Sequence, residues 1–159
     1  MGEIFRNEVE AKTKAGKEIE IFLNKGITVP INIALEAIKN VVSCSINSNI
    51  IIDGYPRDKE QLLSFNRFIK KESNLKMKAL IEIKVSKENA KNRILSRKGR
   101  ADDNEKVFED RMKYYLEYRE IIIEAYKKHN KFFYINGNQD FEKAVNQLTE
   151  LTSKIFNYE

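Results

Sequence analysis

The chain has 159 residues, 42% hydrophobic and 33% charged, which suits one domain with a hydrophobic core and excludes an intrinsically disordered protein. Its formal net charge is +5, but the lysines are mixed with glutamates and form no basic stripe with interleaved aromatic residues, so we expect no nucleic-acid partner. Cys44 is the only cysteine and no apolar run could cross a bilayer, so we expect a cytoplasmic protein with no internal disulfide, no cysteine-built zinc site and no membrane partner.

The N-terminal part of the chain is expected to be mainly helical. Apolar residues at helical spacing predict helices over residues 3–11, 17–25, 31–42 and 59–72. Gly26 is expected to end the second helix, Pro30 to interrupt the chain before the third, and Asp58 to cap the fourth. The apolar run at residues 50–52 predicts a buried strand of a parallel sheet.

Strands and helices alternate in the C-terminal part. The pattern predicts strands over residues 79–85 and 132–135, and helices over residues 87–98, 105–128 and 141–156. Ser86 and Asp140 are suitable N-caps, Gly99 is expected to end a helix, and the pair Asn136-Gly137 predicts a turn. Strands that alternate with helices predict an α/β fold with a parallel sheet, although three strands are fewer than such a sheet normally has.

The first candidate site is the segment 50–57, which reads I-I-I-D-G-Y-P-R. Asp53 directly follows the predicted strand, where a carboxylate could face the water shell of a metal ion, and the alternative is that it caps a turn. Arg57 follows a glycine-tyrosine-proline turn that would fix its guanidinium for a phosphate. The alternative, a surface ion pair with a glutamate, would not require so rigid an approach.

The second candidate site is a cluster of arginines around residues 93–111. Arg93 and Arg97 are four residues apart, so they share one face of a helix, which could also be a solvated face. Arg100 and Arg111 follow closely. So many like charges around one turn repel each other unless an anion binds, and this favours phosphoryl transfer. The acidic residues of the same turn could separate the arginines in the empty site or simply begin the next helix; they are Asp102 and Asp103.

In this order and at these spacings, the motifs resemble the nucleoside monophosphate kinases, and the adenylate kinase family in particular. The matching pieces are G-E-I-F-R at 2–6, G-K at 16–17, N-K-G-I-T-V-P at 24–30, D-G-Y-P-R at 53–57 with Gln61, R-I-L-S-R at 93–97, G-R-A-D-D-N-E at 99–105, and Arg111. The resemblance implies a P-loop NTPase-like parallel sheet with flanking helices, from which the N-terminal strands are missing. It also implies reversible phosphoryl transfer from ATP to AMP, giving two ADP, with Mg²⁺.

The resemblance also implies the organisation of the chain. Residues 1–159 would form a single adenylate-kinase-like domain that is a monomer if complete. Residues 1–29 would form the AMP-binding subdomain and residues 97–103 a short lid loop that holds no zinc. Asp53 would lie near magnesium, through a water molecule.

The binding residues that the resemblance implies fall into three groups. The AMP pocket would comprise Arg6, Leu23, Ile27, Thr28, Val29, Gly54, Tyr55, Pro56, Arg57, Gln61, Arg100 and Arg111. ATP would contact Arg93, Arg97 and Gln139. The catalytic residues around the transferred phosphoryl group would be Arg57, Arg97, Arg100 and Arg111. Gln61 carries the choice of adenine, because its amide can donate to N1 and accept from the N6 amino group at once.

The sequence departs from the family's pattern in one respect. The phosphate loop G-x-x-x-x-G-K-[ST] occurs nowhere in the printed chain, and Gly16-Lys17 lacks the upstream glycine and the preceding strand that such a loop needs. We expect an N-terminally shortened form of a complete adenylate kinase. The alternatives are a start assigned at an internal methionine and a self-sufficient relative without the loop. For function, the alternatives are a non-catalytic AMP-binding fragment and a structural or nucleic-acid-associated basic protein.

Overall fold

The computed structural model describes residues 1–24, 29–43, 45, 49–72, 75–97 and 104–157. The chain divides into two compact units, which we call the N-terminal unit, Met1–Ser73, and the C-terminal unit, Asn74–Glu159. None of the described helices is both long and apolar enough to cross a bilayer.

The N-terminal unit is helical. Its helices are α1 Gly2–Glu10, α2 Lys14–Asn24, α3 Ile31–Ser43 and α4 Lys59–Lys71. All four predicted helices are confirmed, but α2 begins three residues earlier than its spacing predicted. Thr13 explains the earlier start, because its Oγ accepts a hydrogen bond of 2.9 Å from the Gly16 N–H and so caps the first turn.

The hydrophobic core of this unit lies where α1, α2 and α3 meet. Ile19, Val29 and Ile33 are buried together, and Phe5 and Phe22 pack against them. Further along, α3 and α4 each bury one apolar face, formed by Ile33, Ala34, Ala37 and Ile38 on α3 and by Leu62, Phe65 and Phe68 on α4. The apolar spacing that predicted these helices therefore also identified their buried faces.

The strand predicted at residues 50–52 is wrong. The structure assigns no strand there, and Ile51 is 77% exposed. A strand needs a neighbour for its backbone hydrogen bonds, and within the described ranges only residues 80–84 and 132–136 pair with each other. The apolar run alone could not show that a partner was lacking.

The C-terminal unit contains a parallel pair of strands with three helices. Its elements are β1 Leu80–Lys84, α5 Lys87–Ser96, α6 Glu105–Lys127, β2 Phe132–Asn136 and α7 Phe141–Asn157. Leu80 lies opposite Phe132 and Lys84 opposite Asn136, with α5 and α6 forming the crossover connection. This mixed α/β unit confirms the predicted fold class, and both predicted strands of the region form.

Side-chain caps set the helix boundaries in both units. Asp58 accepts from the Gln61 N–H at 2.7 Å, Ser86 from the Asn89 N–H at 3.3 Å, and Asp140 from the Glu142 N–H at 2.9 Å. These three predicted caps are confirmed. Asn104 caps α6 in the same way, accepting from the Val107 N–H at 3.0 Å.

Tyr126 on α6 gives a prediction about stability. It is 5% exposed, and its hydroxyl has no hydrogen-bond partner among the described residues, so burial raises the pKa of this phenol from its ordinary 10.0 to about 12. Tyr126→Phe should therefore raise the free energy of unfolding at pH 7 by about 1 kcal/mol, because it removes an unsatisfied buried group.

The same substitution should alter the alkaline pH dependence. Because the pKa of Tyr126 is raised in the folded state, its pH-dependent contribution to stability is fully present below pH 10.0. This contribution is lost as the pH rises towards 12. Urea unfolding at pH 7 and pH 11 should show a smaller alkaline loss in Tyr126→Phe than in the wild type. Tyr134→Phe is the control, since Tyr134 is 66% exposed. A loss of stability at pH 7 on Tyr126→Phe would contradict the assignment.

Candidate nucleotide site

In the N-terminal unit, the start of α1 lies against the turn at residues 53–54. The Met1 nitrogen donates to the Asp53 carbonyl oxygen at 3.2 Å. Arg6, one turn further along α1, folds back over the helix start, because a Cβ placed on Gly2 would lie 3.3 Å from an Arg6 Nη1. Met1 provides no side-chain cap, so the first N–H groups of α1 are left without a side-chain acceptor.

Arg57 contacts the same turn. Its Nε donates to the Gly54 carbonyl oxygen at 2.7 Å. Gly54 has a φ of +72°, and a Cβ there would lie 2.5 Å from an Arg57 Nη2, so both the backbone and the guanidinium require glycine. We call Met1, Arg6, Asp53, Gly54 and Arg57 the α1 junction. It brings together two of the arginines that the sequence predicted.

Gln61 lies directly behind Arg57. It is 6% exposed and is the one buried polar side chain within the described ranges. Its Oε1 accepts from the Arg57 backbone N–H at 2.8 Å, while its own backbone N–H donates to Asp58 Oδ1 at 2.7 Å. The pairing resembles a capping box in which the side chain reaches one residue further out than usual. The Arg57 N–H thus fixes the amide orientation, and the Nε2 donors remain available.

The neighbouring predicted residues contribute to the core. Tyr55 is buried with its ring edge-on to Phe65, at 5.5 Å between centroids, and Pro56 is buried beside it. Val29 is buried with the core of α2 and α3. Leu23 belongs to α2. Ile27 and Thr28 lie outside the described residues.

Asp53 is exposed on the turn. Among the residues that the structure describes, no group of three or more histidine, cysteine, aspartate or glutamate side chains could hold a metal ion. A single exposed carboxylate does suit Mg²⁺, which keeps most of its waters and usually binds one or two carboxylates together with substrate phosphates.

In the C-terminal unit, Arg93 is brought to the turn that follows β2. Its Nη2 donates to the Gly137 carbonyl oxygen at 2.7 Å. Gly137 packs on the end of β1, because its N–H donates to the Lys84 carbonyl oxygen at 2.8 Å and a Cβ there would lie 2.6 Å from Val85 Cγ2. The turn at Asn136-Gly137 is confirmed. Glycine is needed there because a side chain would collide with Val85.

Asn138 and Gln139 complete this turn. The Asn138 Oδ1 accepts from the Ser86 N–H at 2.9 Å and from Asn89 Nδ2 at 3.0 Å, which fixes the turn to the start of α5. The Gln139 side chain donates to Gln147 Oε1 on α7 at 2.6 Å. Arg93 and Gln139, both predicted to contact ATP, therefore meet at one turn, which Arg93 contacts through the Gly137 carbonyl oxygen.

The remaining predicted arginines lie on the helices that flank the predicted lid loop. Arg97 caps the C-terminus of α5, and Arg111 is exposed on α6. Arg100 and residues 98–103 lie outside the described residues. Two ion pairs connect α5 and α6. Lys87 Nζ lies 2.7 Å from Glu109 Oε2, and Lys91 pairs with Glu105. The hydrogen bond from Lys91 lowers the pKa of the Glu105 carboxyl group.

A charged cluster that the sequence did not predict joins α6 to β1. Arg119 on α6 binds both carboxylate oxygens of Glu82 on β1, at 2.6 and 2.7 Å, and the Tyr115 hydroxyl donates to Glu82 Oε1 at 2.5 Å. Burial opposes ionisation of Glu82, but the hydrogen bonds from Arg119 and Tyr115 outweigh it and lower the pKa. The cluster attaches α6 to β1. A glutamate within an apolar strand was its only sequence signal.

Comparison with known proteins assigns the chain to a class. Residues 1–131 match the family model described as adenylate kinase. The relatives named adenylate kinase include those of Campylobacter lari (39% identical), Campylobacter jejuni serotype O:2 (38%) and Campylobacter curvus (36%). Each alignment covers 97% of this chain, and 81%, 80% and 82% of the respective relative.

By class, the chain is therefore a phosphotransferase of the nucleoside monophosphate kinase type. Within that class it belongs to the adenylate kinase family.

Proposed function

We propose that this protein transfers a phosphoryl group reversibly from ATP to AMP and so forms two molecules of ADP, with Mg²⁺ bound to ATP. The observation that carries this proposal is the convergence of Arg6 and Arg57 on the α1 junction. Neither guanidinium forms an ion pair with a carboxylate within the described part of the chain. Family membership supplies the reaction class.

The α1 junction would hold the AMP phosphate. Two guanidinium groups can each offer paired donors to a phosphate. The uncapped start of α1 adds backbone N–H groups and the positive end of the helix dipole. Because the AMP phosphate is already ionised at neutral pH, the reaction needs no general base, and the task of the protein is orientation and charge neutralisation.

Gln61 would face the adenine edge of AMP. Its Nε2 donors suit the acceptor N1, while the second lone pair of Oε1 suits the N6 amino group. The pocket would be completed, mainly through the backbone, by Leu23, Ile27, Thr28, Val29, Gly54, Tyr55 and Pro56. The burial of the Tyr55 and Val29 side chains supports a backbone role for these two residues.

The ATP side would be formed by the C-terminal unit. Arg93 and the turn that carries Gln139 would contact the base, and the Arg93–Gly137 hydrogen bond supports their cooperation. The guanidinium groups of Arg97, Arg100 and Arg111 would join Arg57 around the transferred phosphoryl group. Asp53 would hold magnesium through a water molecule, and the metal would neutralise phosphate charge when bound.

The organisation that we propose follows the family. Residues 1–159 would act as one adenylate-kinase-like domain, with residues 1–29 as the AMP-binding subdomain. Residues 97–103 would form a short lid loop without zinc. The ion pairs between α5 and α6 support a short loop, because they hold the two helices that flank this segment together. We propose a cytoplasmic monomer.

The experiment is an assay of ADP formation by the purified chain with Mg²⁺, ATP and AMP, accompanied by separate calorimetric titrations with AMP and with ATP. The proposal predicts ADP that appears only when both nucleotides are present, and a preference for AMP over CMP and UMP. AMP binding without ADP formation would identify an AMP-binding protein instead. Failure both to bind AMP and to form ADP would overturn the proposal.

A further inference from the structure

The Gln61 side chain is already in use within the protein. A glutamine that only recognised a base would keep both atoms of its amide available to the ligand. Here Oε1 accepts the Arg57 backbone N–H at 2.8 Å, and the residue is only 6% exposed. A hydrogen bond in such a poorly solvated position is costly to lose.

Hydrogen bonds hold both the backbone and the side chain of Arg57. The backbone N–H is bound by Gln61, and the side-chain Nε is bound by the Gly54 carbonyl at 2.7 Å. Asp58, the next residue, begins α4 and is bonded in turn to the Gln61 N–H. The three hydrogen bonds connect the turn at Gly54 to the first turn of α4 through Arg57.

We propose that Gln61 is a positioning residue for Arg57. Its Oε1 fixes the Arg57 backbone just before α4, and this places the exposed guanidinium at the α1 junction, where its Nε reaches the Gly54 carbonyl oxygen. A change at Gln61 would therefore weaken the recognition of the phosphate as well as that of the base. The inference rests on the proposed function, in which the α1 junction holds the AMP phosphate.

The test compares Gln61→Met with the wild type, alone and combined with Arg57→Ala. Methionine retains the length and removes the acceptor. We expect the affinity for AMP to fall about tenfold more than that for adenosine, which has no phosphate and reports the loss of the base contact alone. With alanine at position 57, Gln61→Met should lower the affinities for AMP and adenosine by the same factor within about threefold, because the guanidinium through which it acts on the phosphate is gone.

Amide hydrogen exchange supplies a readout that does not depend on nucleotide. In Gln61→Met, the Arg57 amide should exchange about tenfold faster, while the amides in the middle of α4 keep their protection. Asn66→Met, on the exposed side of α4, is the matched control and should leave the Arg57 amide and both affinities unchanged.

The possible outcomes separate the inference from the proposed function. Equal losses for AMP and adenosine, with effects that add to those of Arg57→Ala, would show that Gln61 contacts only the base and would overturn the inference. Loss of protection throughout α4 would show a general structural role and would also overturn it. A wild type that binds neither AMP nor adenosine would reject the proposed function, whatever the exchange of the Arg57 amide shows.

Discussion

Arg57→Ala is expected to lower kcat/KM for AMP on the order of 10³-fold, the loss that follows removal of an arginine around a transferred phosphoryl group. The guanidinium is held at the α1 junction by Gly54, and alanine would remove both its charge and its paired donors. Arg57→Lys should recover only part of this loss, because an ammonium group is a point charge without the planar fork of donors.

Arg67→Ala is the matched control for this prediction. Arg67 is exposed on α4 of the same unit, and its Nη2 donates to Ser64 Oγ at 3.2 Å. Its removal should change kcat/KM by less than about threefold, as expected for an exposed charge. Steady-state kinetics with AMP as the varied substrate measures both variants. A similar small effect for Arg57→Ala would remove this residue from the phosphate site.

Gly16→Ala is expected to be the most destabilising small substitution in the N-terminal unit. Gly16 on α2 packs against the backbone of α1, where an added Cβ would lie 1.9 Å from the Glu8 carbonyl oxygen and 2.5 Å from its carbon. Backbone atoms cannot rotate away as a side chain can, so the helices would have to separate. Overpacking of this kind costs about 1–3 kcal/mol or more, which urea unfolding would measure.

Gly2→Ala provides the comparison. A Cβ at Gly2 meets only the flexible end of Arg6, at 3.3 Å, and alanine is a better helix former than glycine by about 1 kcal/mol. We therefore expect unchanged or slightly higher stability for Gly2→Ala and a clear loss for Gly16→Ala. Equal stability of the two variants would show that α1 and α2 do not pack through Gly16.

The boundaries of the helices could be predicted because the interactions that set them are local. Asp58, Ser86 and Asp140 each bind an N–H within three residues, so the capping residue and its partner lie in one short stretch of sequence. The spacing of apolar residues likewise identified the buried faces of α3 and α4.

Features that depend on distant partners could not be predicted in the same way. The apolar run at residues 50–52 looked like a strand, but its sequence could not say whether a neighbouring strand would pair with it, and Ile51 is exposed. The pairing of Glu82 with Arg119 joins residues 37 positions apart. Gly137 was expected to form a turn, but only the packing on Val85 shows why a side chain is excluded.

The candidate site lies between these two cases. The arginine-bearing motifs could be recognised in the sequence, yet only the structure brings Arg6 and Arg57 to one helix start. The internal bond of Gln61 had a local signal, because a glutamine three residues after a capping aspartate has the spacing of a capping box. The resemblance to the adenylate kinase family, in contrast, indicated only that Gln61 recognises the base of the ligand.

A crystal structure of this chain with AMP would show directly whether the α1 junction holds the phosphate. We expect the phosphate to lie at the α1 junction, with oxygens about 2.7–2.9 Å from the guanidinium nitrogens of both Arg6 and Arg57. We also expect the Arg57 N–H to stay bonded to Gln61 Oε1. AMP bound elsewhere, with both guanidinium groups unengaged, would contradict this expectation.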